Sequence, residues 1–377
     1  MKFETFTAGQ WLQQYQYKSF SPVPVNREWS WEDPKINTLL ERASRALAEL
    51  DAFTLIVPDV DMFIQMHITK EANNSSRIEG TQTHIDEAVL DSSQLAPEKR
   101  DDWQEVQNYI QAINEAVDEL QRLPLSNRLL KHTHAVLMQG VRGEHKTPGE
   151  FRTSQNWIGG SGLADAVFIP PHQEEVTALM GDLELFWHNE NINVPDLIRI
   201  AISHYQFETI HPFLDGNGRI GRLMIALYLV GKGLLRKPSL YLSDFFERNR
   251  ASYYDALMRV RMSDDMTHWV KFFLSAVIET AGKGKQTFES ILELRRDMDQ
   301  LAFSYGKRAE NVQLLLRHLY RRPAITAIQA SGLLEVSHQT ASALLNKMTH
   351  DGMLQEITGY QRNRVFVFTR YLSLFGA

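Results

Sequence analysis

The 377 residues contain no cysteine. That excludes disulfides, a thiolate nucleophile and thiolate-bound zinc. Nor is there a run of about 18 uninterrupted apolar residues, the least that would span a bilayer, so no membrane partner is expected. The opening stretch, MKFETFTAGQWLQQYQYKSF, lacks a basic segment leading into an apolar core, and a secretory signal is not expected from it. These absences lead to the expectation of a soluble, cytoplasmic protein. An excess of positive charge is missing too: the net −6 argues against coating nucleic acid.

What remains is an ordinary globular composition, 43% hydrophobic and 23% charged. The length predicts two or three units around a large buried core. Charge is unevenly shared between them. Residues 306–377 hold nine Lys and Arg against four Asp and Glu, hence +5, which leaves −11 on the 305 residues before them. A basic tail on an acidic body suggests two tasks.

Hydrophobic spacing is helical over most of the chain. Residues 20–36 (FSPVPVNREWSWEDPKI) read as an extended arm, after which Ile36, Leu39, Leu40, Ala43, Leu47 and Leu50 recur at three- and four-residue intervals. A second helix is expected to end at Gly80, with Thr83 opening the next. Leu123-Pro124-Leu125 separates two more between 101 and 147. Residues 151–171, with β-prone runs around Gly159, Gly160 and Gly162, predict a hairpin that leaves through Pro170-Pro171. Helices resume in EEVTALMGDLELFWHN, in DLIRIAISHYQFETI and in IGRLMIALYLVGKG, and GKGKQ at 282–286 reads as a break. Residues 309–372 order themselves as a helix, a short helix from Ala324 to Ala330, a turn at Gly332, a third helix begun by Ser337, and two β-prone runs joined by GYQRN. That is the order of a winged helix-turn-helix.

One stretch concentrates chemistry: HPFLDGNGRIGR, residues 211 to 222, a loop that opens a helix. A helix N-terminus offers unsatisfied N–H groups and a partial positive charge, and Gly216 and Gly218 lack the Cβ that would keep an anion away. Arg219 and Arg222 lie three apart on the same helix, so both guanidinium forks can reach further phosphate oxygens. Asp215 is the hard oxygen ligand that magnesium takes beside substrate phosphates. His211 can accept a proton near neutral pH. No strand precedes the loop, which separates it from P-loops and dinucleotide fingerprints. A tight turn would need neither the histidine nor the paired arginines.

The stretch resembles the signature of the Fic family, H-P-F-x-[D/E]-G-N-G-R-x-x-R, with no departure at any defined position. The resemblance implies a mainly α fold: a helical bundle with a small β-hairpin flap, here followed by the winged helix-turn-helix. It implies transfer of AMP from Mg-ATP to a Tyr, Thr or Ser hydroxyl of target proteins, the chain itself included. His211 would be the base and Asp215 the Mg²⁺ ligand. Gly216, Asn217, Gly218, Arg219, Ile220, Gly221 and Arg222 would line the ATP site with His211, and Tyr253 of Arg250-Ala251-Ser252-Tyr253-Tyr254 would lie beside the base. The flap at 151–171 would align a target by strand addition.

Upstream, Ser75-Ser76-Arg77-Ile78-Glu79-Gly80 is similar to the family's inhibitory pattern [S/T]-x-x-x-E-[G/N]. By that likeness Glu79, with Ser75, would occupy Arg222 in place of the γ-phosphate. The expected division is 1–100 as a helical region carrying segment 75–80, 101–305 as the Fic catalytic unit and 306–377 as the winged helix. In that last unit Ser337, His338, Gln339, Thr340 and Ser342 on the third helix, with Arg362 and Arg364 on the wing, suit DNA, while protein docking or homodimer formation suits the same module. A rival reading makes the chain a DNA-binding regulator that senses nucleotide. Intact His211 and Asp215 favour the enzyme, since sensing needs no base. Transfer of another nucleotide or phosphoryl group would use the same phosphate-facing residues.

Overall fold

The computed structural model describes residues 1–377 apart from Val141, Arg142, Glu144, Gln361 and Ala377. Gln361, assigned above to the wing loop, thus lies outside the described residues. The chain opens with a hairpin of β1 (Gly9–Gln13) and β2 (Lys18–Pro22), then α1 (Pro34–Ile56), α2 (Val60–Ile78) and the short α3 (Ile85–Ala88). Next come α4 (Arg100–Glu119), α5 (Asn127–Leu137), α6 (Gln173–His188), α7 (Asp196–Ile210) and α8 (Asn217–Gly231). After α9 (Ser243–Arg248) and α10 (Arg250–Ser263), α11 (Met266–Phe303) runs for 38 residues. The last part holds α12 (Ala309–Arg321), β3 (Ala324–Thr326), α13 (Ala327–Leu334), α14 (His338–His350), β4 (Gln355–Glu356), β5 (Val365–Val367) and α15 (Thr369–Leu372). The fold is mainly helical. Among the described residues no helix is long and apolar enough to cross a membrane.

The centre of the body is α7, packed against α6, α8 and α11. The sequence predicts one apolar side for it. In the structure every residue from Leu197 to Ile210 is buried, so its polar side chains must find partners inside. Arg199 donates to the Asn189 carbonyl at 3.0 Å, and Ser203 Oγ donates back to the Arg199 carbonyl at 2.8 Å. His204 bridges the Gly221 carbonyl at 3.0 Å and the Tyr253 hydroxyl at 2.9 Å, which ties α7 to α8 and α10.

The break expected at 282–286 is absent: α11 continues through it. Glycine here answers packing rather than termination. A Cβ on Gly284 would lie 3.0 Å from Leu50 Cδ1, so the missing side chain lets α1 and α11 approach. Other boundaries also moved. His84, not Thr83, precedes α3, and its backbone N–H donates to Glu87 Oε2 at 3.1 Å. Gly332 lies within α13, and the turn falls at Glu335, which adopts a φ of 54° before Ser337 caps α14. Ala324 begins strand β3 rather than a helix.

Two extended regions read differently from the sequence. Residues 151–171 form a loop with one antiparallel bridge, Ile158 to Phe168, in place of a regular hairpin. The regular hairpin is β1–β2, which the sequence reading missed, with part of the supposed arm in its second strand. It buttresses the loop: Phe20 N–H donates to the Ile169 carbonyl at 2.9 Å, and the Trp11 ring meets Phe168 edge-on at 5.8 Å. The C-terminal unit carries an antiparallel sheet in the order β3–β5–β4, with α13 and α14 packed together, the arrangement expected of a winged helix. It leans on α2, where Tyr320 and Tyr371 hold the Phe63 ring at 5.2 and 6.3 Å.

The two glycines of α11 should behave oppositely. Nothing lies within 4 Å of a Cβ at Gly282, so Gly282→Ala should stabilise by about 0.5–1 kcal/mol through helix propensity. Gly284→Val should cost about 1–3 kcal/mol by overpacking Leu50. Urea unfolding of the full chain checks both signs.

Candidate active site

The motif loop joins α7 to α8 and is held rigid by backbone contacts. His211 ends α7 in a left-handed conformation, φ 50° and ψ 61°, which turns the chain out of the helix. Asn217 then closes the loop: its Oδ1 accepts from Phe213 N–H and its Nδ2 donates to the Phe213 carbonyl, both at 2.8 Å. Both polar ends of that side chain are therefore engaged, and Asn217 shapes the loop rather than facing a ligand. Gly216, with φ 73°, turns the chain into α8; a Cβ there would press to 3.0 Å from Met138 Sδ.

Several residues that the sequence reading did not single out hold this loop. Arg152, 2% exposed, donates from Nε to the His211 carbonyl at 2.9 Å and from Nη2 to the Pro171 and Ile210 carbonyls at 2.6 and 3.3 Å. Its backbone N–H donates to the Pro212 carbonyl at 2.8 Å. Asn156 Nδ2 donates to the His211 and Phe213 carbonyls at 3.0 and 2.8 Å. One buried arginine and one asparagine thus bind the 151–171 loop to the motif. On the other side His134 stacks on Phe213, centroids 3.9 Å apart, and its Nε2 meets the Asp215 carbonyl at 3.0 Å. Nothing in one sequence marks these residues, because their partners are backbone atoms far away along the chain.

The two motif arginines are buried and each meets a carboxylate. Arg219, 4% exposed, places Nη1 3.2 Å from Glu105 Oε2 and Nη2 3.8 Å from Asp215 Oδ1. Arg222, 3% exposed, places Nη2 2.6 Å from Glu79 Oε1; its Nε donates to Ser75 Oγ at 2.9 Å and Nη2 to the Ser75 carbonyl at 3.0 Å. Ser75 and Glu79 are thus both brought to Arg222 from the end of α2. Glu79 also crowds the first turn of α8: a Cβ on Gly218 would come 2.2 Å from its Oε1. A carboxylate rests where a helix N-terminus and a buried guanidinium both favour an anion. Burial works to raise the Glu79 pKa, but the charge and hydrogen bond of Arg222 prevail and hold it below the ordinary range. Burial likewise opposes the Arg222 charge, and Glu79 more than restores it.

His211 remains partly exposed, although its Nδ1 is buried without a partner among the described residues. Burial first, then the charges of Arg261 and Arg152, push its pKa down to about 3, so it is a free base at neutral pH. Asp215 has 47% of its side chain exposed, and its Oδ1 accepts from Gly216 N–H at 2.6 Å. Among the described residues no group of three or more His, Asp or Glu could hold a metal.

Three motif-linked expectations need revision. Ile220 is fully buried and Gly221 faces α7, where a Cβ would strike Glu208 Oε1 at 2.2 Å, so neither presents a side-chain position to a ligand. Tyr253 is 1% exposed, stacked on Phe246 at 4.4 Å with its hydroxyl on His204. It belongs to the aromatic core; the neighbouring Tyr254, 37% exposed, is the ring that reaches solvent. Glu208 was not anticipated. One turn before His211, it is 7% exposed with Oε1 unpartnered among the described residues, and burial raises its pKa to about 7.

The site therefore combines a neutral imidazole, two buried guanidinium groups and an anion-favouring helix start within one loop–helix turn, equipment for handling a polyphosphate. Comparison with known proteins gives the same class. Residues 37–118 match the Fic/DOC family N-terminal model and residues 124–229 the Fic/DOC family model. Residues 37–229 thus carry the N-terminal and central domains of the Fic/DOC family. It is similar to "Protein adenylyltransferase Fic" of Drosophila erecta, 30% identical over 133 residues, 35% of this chain and 24% of that one. "Protein adenylyltransferase fic-1" of Caenorhabditis briggsae is 28% identical over 189 residues, 47% and 33% of the two chains. The match thus spans about a quarter to a third of the length of these curated relatives. In fold, a Fic family protein from Desulfovibrio desulfuricans superposes with a TM-score of 0.56 at 21% identity, covering 91% of this chain and 98% of its own. A fragment of Fic-1 from C. elegans gives 0.52 at 19%, covering 70% and 75%.

Protonation of the interior leads to a prediction. His67, His204 and His211 are depressed to about 3 and His134 to about 4, burial being the largest cause in each. Below pH 6.5 the unfolded chain binds protons that these four refuse in the fold, so stability should fall with pH. Glu208 and Glu71 oppose them, because burial raises both carboxyl pKa values and proton uptake as pH falls relieves the penalty on their charged forms in the fold. The net loss should be roughly 2–4 kcal/mol per pH unit between pH 6 and 5. Urea midpoints at pH 7, 6 and 5 that do not move would contradict it.

Proposed function

We propose that this chain transfers AMP from Mg-ATP to a Tyr, Thr or Ser hydroxyl of target proteins and that Glu79 restrains the reaction. The observation that carries this is the Glu79 carboxylate, 2.6 Å from Arg222 and packed on Gly218 at the start of α8. An acidic side chain held by the groups best suited to a terminal phosphate marks those groups as a phosphate site. The curated relatives named as protein adenylyltransferases support the same reaction.

In the proposed step the target hydroxyl gives its proton to His211, free-base at neutral pH, while its oxygen attacks the α-phosphorus. A phosphoester bond forms there, and the bond to the bridging oxygen breaks. Pyrophosphate leaves with its charge held by Arg219 and Arg222. Asp215 would hold the magnesium of Mg-ATP, and the N–H groups of Asn217 and Gly218 at the helix start would bind the phosphates. Glu105, paired with Arg219 at 3.2 Å, fixes that guanidinium.

The restraint works by competition. A charge-assisted hydrogen bond contributes about 1.5–3 kcal/mol, and the partial exposure of Glu79 favours the lower end. The rival reading, a DNA-binding regulator that senses nucleotide, finds less support. Asp91 binds Arg322 and Gln329 at 3.1 and 3.0 Å and borders the groove of His338, Ser342, Arg362 and Arg364, so a carboxylate interrupts the basic surface that DNA phosphates would need.

Incubation with ATP labelled at the α-phosphate tests the reading. Glu79→Gly should raise label transfer about ten- to a hundredfold over the parent chain, in keeping with the strength of the lost contact. His211→Ala in the Glu79→Gly background should abolish it. Equal transfer by Glu79→Gly and parent would refute the restraint, and transfer that survives His211→Ala would refute the assigned base.

A further inference from the structure

The first turns of α8 carry two carboxylates against them. Glu79 Oε1 lies 2.2 Å from the Cβ position of Gly218, and Glu208 Oε1 lies 2.2 Å from that of Gly221. Positions three apart on a helix are surface neighbours, so the two oxygens stand at most about 10 Å from each other. Glu79 has its partner in Arg222, the residue after Gly221, at 2.6 Å. Glu208, 7% exposed, has its Oε1 unpartnered among the described residues. Ser75 and Glu79 use Nε and Nη2 of Arg222, whose Nη1 lies 2.9 Å from the Cβ position of Gly218. One buried guanidinium thus faces two acids, of which the structure pairs one.

The charges around Glu208 bear on its proton. Burial raises its pKa most; the attraction of Arg222 lowers it, the repulsion of Glu79 raises it and Arg261 lowers it, which leaves the carboxyl at about 7. The groups beside it titrate elsewhere. Burial holds His204 and His211 of α7 at about 3, and it raises Tyr253 and Tyr254 of α10. Glu79, at the end of α2, lies below the ordinary carboxylate range. The guanidinium groups of Arg222 on α8 and Arg261 on α10 keep their charge. Glu71 of α2, which also feels Arg222, is raised by burial and accepts from Ser243 Oγ at 2.6 Å and the Tyr109 hydroxyl at 3.3 Å.

We propose that Glu208 is a reserve counter-ion for Arg222, protonated while Glu79 is seated and ionised when Glu79 withdraws, so that loss of one proton loosens the restraint. The proposal deepens the function given above and rests on it. Withdrawal of Glu79 removes a like charge and leaves Arg222 facing Glu208, so the acid holds its proton less tightly in the released state. Between the two titration points the released state binds fewer protons, and raising the pH toward 7 favours it. Above about 7 Glu208 is ionised in both states and the effect levels off. The nucleotide needs Arg222 released, so its affinity for the restrained chain follows the same curve.

Titration calorimetry with magnesium and α,β-methylene ATP reads binding without transfer. The affinity of the parent chain divided by that of Glu79→Gly should rise about three- to tenfold from pH 6 to 8. Dividing by Glu79→Gly cancels the titration of the nucleotide itself. The same quotient taken with Glu208→Gln in both chains should stay flat, because the amide keeps the size of the protonated acid and cannot ionise. A flat quotient in the first pair would overturn the proposal; so would a rise that survives Glu208→Gln, which would assign the proton to another group such as Glu71. Carboxyl-carbon NMR needs no substitution at 208: the glutamate that titrates near 7 in the parent chain should titrate about 0.5–1 unit lower in Glu79→Gly, and an unmoved value would overturn the link. Failure of Glu79→Gly to bind the analogue at any pH would refute the nucleotide site itself, whereas binding with a flat quotient would refute the Glu208 switch alone.

Discussion

A guanidinium that is almost wholly withdrawn from water cannot stand alone, and Arg222 is such a group. Desolvating a cation costs several kcal/mol unless an anion and hydrogen-bond acceptors replace the lost water. The structure meets that demand from α2, with the carboxylate of Glu79 and two oxygens of Ser75. The same demand makes the site useful. Whatever removes Glu79 must bring negative charge of its own, so the first turn of α8 selects for a strongly anionic visitor.

The Glu79–Arg222 contact is coupled to the rest of the molecule through the polarity of α2. Nearly its whole second half is buried, yet Glu71, Asn73, Asn74, Ser75 and Ser76 are there instead of apolar side chains. Asn73 Oδ1 and Ser76 Oγ have no partner among the described residues. A helix seated on such a surface gains less from burial than one with an apolar stripe, and its hold depends on a few specific contacts. Local opening is drawn from segments of this kind.

The site was legible in the sequence to the extent that its chemistry is local. His211, Asp215, Arg219 and Arg222 lie within one turn and half of a helix, so spacing alone places them together. Ser75 and Glu79, far upstream, needed a family resemblance to be joined to them. Arg152, Asn156, His134 and Glu105 could not be read at all, because each acts on backbone or on a partner brought near only by the fold. Tyr253 shows the converse failure: the residue type was right for stacking on a base, but helical phase turned that ring inward and left Tyr254 outside. In the fold, helix positions followed from periodicity. The glycines at 282, 284 and 332 misled because propensity yields to packing when a helix is clasped along its length.

The unbroken run of α11 has a mechanical meaning. At about 1.5 Å per residue it extends roughly 57 Å, long enough to run beside α1 from Lys271, paired with Asp33, to Lys285, paired with Glu49, and to meet α12 at its end. Packed along so much of its length, a rod of that kind resists bending and moves as one piece. Small tilts imposed where the basic tail joins would be carried as leverage toward the far end, so a partner that grips only the tail could be felt, without any contact of its own, in the seating of the acidic body.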